Sequence, residues 1–416
     1  MNNFFSLITI ARRNILRNRR RAALCITAIA IAVFFMVFMQ SWIEGMVDGM
    51  NDTVRTFDTG DISVVSAEFD AQSDAYPAQF PVSDGQSFTA VEGIIEGVEG
   101  VKAVFPRIMA FATLQDSTVK HALLWGIDIE KETAFHAFDK TSGGNGLIEG
   151  RYPEPGANEC AAGSRLAEKM GVNIGDRIPL KTVSSQFSDK MWNPIVTGIF
   201  NFDYLKYDDG VIIVQFDRLQ RLLSLGEASQ QVFVYVDNYK ESPAAAASLG
   251  SLLGKDDVVR DWHDNFFVAY MNRSMFIFIF VYIVFIVVAS FLIVNTMIMI
   301  IHERIKEIGM MGSLGMTRAE IVLVFFLEAF LLSAAGALAG CAAGAAASFV
   351  MSLFPLDFNA FTGSFKEMPI SGTLRMKFDW FIIAQGFLLG VVISSVCTLI
   401  PSLKSAFIEP VEALRR

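Results

Sequence analysis

Groups that could do chemistry are present in this chain but scattered. His121, His136, His263 and His302 stand far apart, without the spacing that holds a metal or the company that makes a catalytic triad. Cys25, Cys160, Cys341 and Cys397 form neither a CxxC pair nor a disulfide framework. The stretches GVNIGDR and GSLGMTR lack the Lys-Ser/Thr with which a GxxxxGKS/T loop cradles nucleotide phosphates. The acidic run DYLKYDDG, Asp203 to Gly210, lacks the ligand spacing of a calcium loop and reads as a solvated turn. The residues therefore point away from a self-contained enzyme, and no metal site is expected.

One stretch suggests mechanical rather than covalent work. HERIKEIGMMGSLGMTRAEI, His302 to Ile321, is charged and punctuated by glycine, yet lies between two of the most apolar segments of the chain. Glu303 and Glu307 have helical spacing, GSLGMT breaks or caps that helix, and Thr317 to Glu320 forms a capping box for the next one. A plain connector would not need Ile305, Ile308, Met310, Met311 and Leu314, which suggest a docking partner. On the residues alone, connector and docking helix weigh about equally. A short helix held between two spans would be a handle that tilts both.

The elements around this handle follow from composition. Hydrophobic residues make up 53% and charged residues 19% of the chain, with a mean hydropathy of +0.43, which indicates a membrane protein. Residues 1–21 read as a cytoplasmic amphipathic helix with Arg12, Arg13, Arg17 and the Arg19–Arg21 cluster. Uncharged segments at 22–43, 273–301, 321–351 and 380–400 are long enough to span a bilayer, giving four expected transmembrane helices. The first ends in Phe, Met and Trp rather than small residues, which favours a retained span over a cleaved signal peptide. Six arginines ahead of it place the N-terminus in the cytoplasm. Residues 44–272 and the 352–379 loop then lie outside, and the 302–320 loop and the 401–416 tail inside.

Residues 44–272 hold 34 of the 43 acidic residues but only 18 of the 34 basic ones, an acidic balance that argues against nucleic-acid binding. Strand-like runs (GDISVVSAEF, ALLWGIDI, NPIVTGIF, GVIIVQF, QVFVYVDN) alternate with helix-like ones (FTAVEGIIEGV, SRLAEKMGV, FDRLQRLLSLG, SPAAAASLGSLLG). This predicts an α+β domain with room for two subdomains. In the third span Gly336, Gly340 and Gly344 form GxxxGxxxG, a face for close helix packing, with the fourth span the favoured partner. Glu328 is a charge inside that same span, an expensive placement that suggests a role.

The motifs ERIKEIGMMGSLGMTRAEIVLVFFLEAFLLSAAGALAG, PSLKSAFIEPVEALRR and ARRNILRNRRR resemble the FtsX-like, MacB-type permeases of ABC transporters. The order of one span, a large outer domain and three spans is also that family's. The resemblance implies an α-helical membrane protein of four spans with an α+β extracytoplasmic domain of MacB-like periplasmic type. It further implies that Glu303, Arg304, Lys306, Glu307, Ile308, Gly309, Gly312, Gly315 and Arg318 belong to a coupling helix docking a separate ATPase dimer. ATP and Mg would then sit on that partner and no cofactor on this chain. The family's usual basic or small residue after EIG is replaced by Met310 and Met311.

The segment LIEGRYPEPGANECAAGSRLAEKMGVNIGDRIPL resembles the corresponding part of both MacB and the Lol lipoprotein-releasing permeases, and VTGIFNFDYLKYDDGVIIVQFDRLQRLL looks closer to the Lol permeases. That implies a bacterial inner-membrane protein paired with a second permease copy, identical or paralogous. Its substrate would be a lipoprotein handed to a periplasmic carrier protein. In such pairs the first two spans line a central cavity, so Phe35, Phe38, Met39, Trp42, Met275, Phe276, Phe278 and Tyr282 are candidates to hold acyl chains. The alternative for each of them is an ordinary lipid-facing surface. The other family activities are a MacB-like export pump and an FtsX-like signalling protein that activates a cell-wall hydrolase.

Overall fold

The apolar run that opens the chain ends near Ile43, but the helix it forms does not. The computed structural model describes residues 2–17, 19–72, 75–115, 118–136, 138, 146–303, 310, 316–354, 356–357 and 373–406. In chain order its helices are α1 (Asn2–Arg17), α2 (Arg19–Thr53), α3 (Ala67–Asp70), α4 (Phe88–Glu96), α5 (Ile129–His136), α6 (Ser164–Met170), α7 (Leu205–Gly210), α8 (Phe216–Leu222), α9 (Ser242–Leu252), α10 (Phe266–Glu303), α11 (Arg318–Leu353) and α12 (Trp380–Ala406). The chain divides into two units, Met1–Val47 with Arg273–Leu356 and Arg375–Arg416, and Asp48–Asn272 with Asp357–Leu374.

The first unit is helical. Among the described residues three helices are long and apolar enough to cross a membrane: Ala22–Thr59, Ala319–Leu353 and Trp380–Cys397. The second expected span lies on α10, where only Phe266–Val281 registers, as a shorter apolar helix. A Cβ on Gly336 would lie 2.8 Å from Ile29 Cβ, one on Gly340 2.5 Å from the Ala30 carbonyl oxygen, and one on Gly344 3.0 Å from Val37 Cβ. The glycine face of α11 therefore receives α2, not the fourth span favoured from sequence. Gly386 and Gly390 of α12 approach the same α2 residues, with Cβ positions 2.5 Å and 2.6 Å from Val37 and Val33 methyls. Ile29, Val33 and Val37 thus lie against small residues of both α11 and α12, with Ala337, Cys341 and Ile382 closing the cluster. Sequence spacing shows that a face permits close approach; it does not show which helix uses it.

Gly340→Val is the sharpest test of this packing. Its new side chain meets backbone, which cannot swing aside, so destabilisation of about 1–3 kcal/mol or more is expected. A lowered thermal midpoint in detergent checks it, and Gly→Val at Gly93, exposed on α4 with nothing within 4 Å of its Cβ position, is the matched control.

The second unit is built on strands β1 (Ile62–Ser66), β2 (Val101–Leu114), β3 (His121–Ile127), β4 (Gly146–Gly150), β5 (Glu159–Gly163), β6 (Leu180–Val183), β7 (Asp189–Trp192), β8 (Ile195–Asn201), β9 (Val211–Gln215), β10 (Gln231–Val236) and β11 (Asp257–Asp261). They form one mixed sheet in the order β11-β1-β10-β2-β3-β9-β5-β8-β4, with the β6–β7 hairpin attached to β2. β9 and β10 are covered on both faces and read as unbroken apolar runs, while β8 alternates buried and half-buried residues.

β2 is the strand that joins the two halves of the sheet. From Val101 to Arg107 it pairs with β10, and from Ile108 to Thr113 with β3. Pro106, which has no N–H for a ladder, stands just before the change of partner. On one half, Ile62, Val104, Val232 and Val234 pack beneath α4 and α9 through Val91, Ile95 and Leu249. On the other half, Ile108, Leu124, Ile212 and Val214 pack with Leu166 of α6 and Leu219 of α8. The opposite face of that second half carries an aromatic cluster around Trp125, Phe200, Phe202 and Tyr207.

The run DYLKYDDG is not a solvated turn. It forms α7, with Leu205, Tyr207 and Asp208 buried. The acidic composition concealed this because Asp208 is not left to solvent: its carboxylate accepts the Phe202 backbone N–H at 2.8 Å. Burial pushes the Asp208 carboxyl up to about 7 from an ordinary 3.8, against the pull of that N–H. A folded pKa raised above the unfolded value contributes stability below about pH 4 that is lost as pH rises through 7. Unfolding midpoints between pH 5 and 8 should therefore fall with pH, and fall less in Asp208→Asn. Equal slopes for the two proteins would contradict this.

Candidate functional site

A helix ends with its last carbonyls unpartnered unless something caps them. Here α2 passes into a π-helical turn, Val54–Thr59, closed by Gly60 at φ 67°. The freed carbonyls are taken by side chains of the sheet and its helices. Tyr235 Oη donates to Arg55 O at 2.9 Å, Arg107 Nη2 to Thr56 O at 3.4 Å, and Tyr207 Oη to Phe57 O at 2.7 Å. Asp58 is held from the same side by Tyr204 Oη at 3.1 Å and Lys206 Nζ at 2.9 Å. Burial pushes all three tyrosine hydroxyls above their ordinary range, so they remain protonated donors.

The side chain between these bonds is Phe57. Its ring lies 5.0 Å from those of Phe202 and Tyr207, 5.8 Å from Phe138 and Tyr204, and 6.1 Å from Trp125. One residue of the helix end is thus enclosed by rings drawn from β3, α7 and the segments flanking them. Arg55, two residues earlier, pairs with Asp61 at 2.5 Å and lies over the Tyr239 ring at 4.2 Å. The turn is gripped through backbone, ring and charge together.

Arg107 carries the grip across the sheet, for it stands where β2 changes partner. Its guanidinium is fully buried, pairs with the equally buried Glu132 of α5 at 2.8 Å, and lies over Trp125 and Phe233. Burial drives the Glu132 carboxyl up to about 7 while Arg107 pulls it down. Burial, then Arg107, lowers His136 to about 3, so it is neutral beside them. Nothing in this arrangement activates a nucleophile. It can transmit displacement: a movement of the Val54–Thr59 turn reaches β2, β10 and α7 through hydrogen bonds, β3 through the Phe57–Trp125 ring contact, and α5 through the Arg107–Glu132 pair.

The coupling residues inferred from the motif mostly fall outside the described residues: Arg304, Lys306, Glu307, Ile308, Gly309, Gly312 and Gly315. Glu303 is the last residue of α10, and Arg318 the first of α11. The capping box at the start of α11 is formed, with Thr317 Oγ1 accepting from Glu320 N at 3.3 Å and Glu320 Oε2 accepting from Thr317 N at 2.9 Å.

Of the cavity candidates, Phe35 and Phe276 are exposed, the latter at 74%, and Phe38, Met39 and Trp42 are half-buried. The side chains of Met275, Phe278 and Tyr282 lie outside the described residues. Along α10, Phe280, Val287 and Phe291 are exposed as well.

Two features escaped the sequence reading. The first is the π-turn. A usable signal was the lack of proline between Ile43 and the Thr59-Gly60 pair, which permits a helix running to a glycine cap. The second is the β6–β7 hairpin. Its tip residue Phe187 is 76% exposed at φ 57°, and Val183, Met191 and the neighbouring Phe111 of β2 also face outward. On the hairpin these outward-facing apolar side chains alternate with the Lys181–Asp189 ion pair.

Comparison with known proteins agrees with this organisation. The family model for the MacB-like periplasmic core domain matches residues 22–252, and that for the FtsX-like permease C-terminal region matches residues 279–410. The "Lipoprotein-releasing system transmembrane protein LolC" of Xylella fastidiosa is 23% identical over 80% of this chain and 82% of its own length. An uncharacterized ABC transporter permease of Methanocaldococcus jannaschii is 23% identical over 98% of this chain and 97% of its own. The crystal structure of the periplasmic region of MacB from Actinobacillus actinomycetemcomitans aligns with 50% of this chain and 92% of that one, at 12% identity and a TM-score of 0.34. The chain belongs to the FtsX-like, MacB-type family of ABC transporter permeases.

Proposed function

We propose that this permease lifts lipoproteins from the outer leaflet of the bacterial inner membrane and passes them to a soluble periplasmic carrier. It works as a pair of permeases with two copies of a separate ATPase, which holds ATP and Mg. In this reading the chain has four spans, with both termini and the 302–320 loop in the cytoplasm. ATP-driven closure of the ATPase pushes the loop through Glu303, Arg304, Lys306, Glu307 and Arg318, and the motion tilts the spans.

The observation that carries the mechanical part is the Phe57 turn, which continues the first membrane helix and is bonded on every side to the α+β unit. A helix end held only by solvent would fray instead of pushing. The cargo part is supported by the likeness to LolC proteins of lipoprotein-releasing systems, by the exposed Phe and Val side chains of α10, and by the outward-facing Phe187, Val183 and Met191 of the β6–β7 hairpin, a docking point for a carrier.

Glu307→Lys should reduce co-purification of the ATPase about tenfold while membrane insertion is unchanged. Full retention would remove the coupling role. Mass analysis of the purified complex should find polypeptides with an acylated N-terminal cysteine. A stably bound periplasmic adaptor or cell-wall hydrolase in their place would favour an export pump or a signalling protein.

A further inference from the structure

Residues 1–43 contain Arg12, Arg13, Arg17, Arg19, Arg20 and Arg21, and no Lys, Asp or Glu. The structure places Arg12, Arg13, Arg17, Arg19 and Arg20 on an exposed surface. α1 places Ala11 against Val324 and Leu327 of α11, and Ile15 against Ala22, Cys25 and Leu332. With that side occupied, Ile10, Arg12, Arg13, Leu16 and Arg17 form the exposed arc, and Arg19 and Arg20 are exposed at the start of α2. From Ala22 to Ile43 α2 carries no charge.

An arc that mixes Ile10 and Leu16 with arginines suits neither water nor hydrocarbon alone. It suits the headgroup layer, with the apolar side chains among acyl chains and the guanidinium groups at phosphate depth. Lysine would satisfy a simple preference for positive charge equally well. The exclusive use of arginine matches planar, bidentate recognition of phosphate. A zwitterionic headgroup would also bring an ammonium, which a surface of exposed guanidinium groups repels. On α11, which packs against α1, Glu320 is engaged by Thr317 and Glu328 is buried.

We propose that this arginine surface binds anionic phospholipid headgroups of the surrounding bilayer in preference to zwitterionic ones. The interleaved apolar residues and the uncharged span that follows favour lipid over an acidic protein face.

The test uses the full-length permease, without ATPase, in mild detergent with equimolar dioleoyl phosphatidylglycerol and dioleoyl phosphatidylcholine. Native mass spectrometry reads which lipid stays bound. The wild type should retain phosphatidylglycerol over phosphatidylcholine by about tenfold or more. Arg12→Gln with Arg13→Gln and Arg17→Gln should remove most of the preference, at up to about fivefold per arginine. Arg19→Gln with Arg20→Gln should reduce it. The corresponding Arg→Lys triple should keep part of it. Equal retention of the two lipids by the wild type would overturn the proposal and leave the arginines to an acidic protein surface. An undiminished preference in the Gln triple, eluting as the wild type does, would overturn it as well.

Discussion

Glu132→Ala is expected to lower the stability of the α+β unit by about 3–5 kcal/mol, because it leaves the guanidinium of Arg107 buried without its counter-charge. Both side chains have no exposed surface, and Arg107 Nε and Nη1 have no hydrogen-bond partner among the described residues. The Thr56 carbonyl oxygen, 3.4 Å from Nη2, is a neutral acceptor and does not replace the lost charge. Thermal unfolding of the full-length protein in detergent measures the effect. Arg107→Met combined with Glu132→Leu should recover most of the loss, since an apolar pair removes both charges together. A Glu132→Ala protein as stable as the wild type would mean that the pair is solvated, contrary to its burial.

Phe57→Ala is the second large expectation, and it separates stability from coupling. Removing a ring enclosed by five others should cost about 3–5 kcal/mol. The hydrogen bonds to the Arg55, Thr56 and Phe57 carbonyls remain available, because they come from Tyr235, Arg107 and Tyr207 and not from the Phe57 side chain. The turn should thus stay in place but move within a cavity. Coupling is expected to fall about tenfold or more while ATP hydrolysis by the bound ATPase continues. Phe57→Leu, which fills much of the space, should lie between the two and guards against simple misfolding.

Much of the fold could be read from the sequence, and the failures share a cause. β1, β3, β8, β9 and β10 were evident from clustered Val, Ile, Phe and Tyr, and α4, α6, α8 and α9 from their apolar spacing. β2 was missed because Pro106 interrupts it, and β5 because ECAAG carries little β-branched bulk. Local pattern reports what a segment prefers and not what it meets. Glu132 looks like a surface charge on the short helix IEKETAFH, and only the fold brings it to Arg107, 25 positions earlier. The glycines of α11 announce close packing, but Ile29, Ala30 and Val37 of α2 can be identified only in three dimensions. Phe57 follows the same rule: its sequence neighbours are polar, and its ring partners lie between Trp125 and Tyr207.

The measurement that bears most directly on the whole account is ATP-driven transfer in reconstituted vesicles. The permease and its ATPase would be loaded with a labelled lipoprotein and given a soluble carrier fraction. Released lipoprotein would be counted per ATP hydrolysed for the wild type and Phe57→Ala. The account predicts ATP-dependent release by the wild type, and hydrolysis with little release by the variant. No release by an ATP-hydrolysing wild type, or equal release per ATP by both proteins, would contradict it.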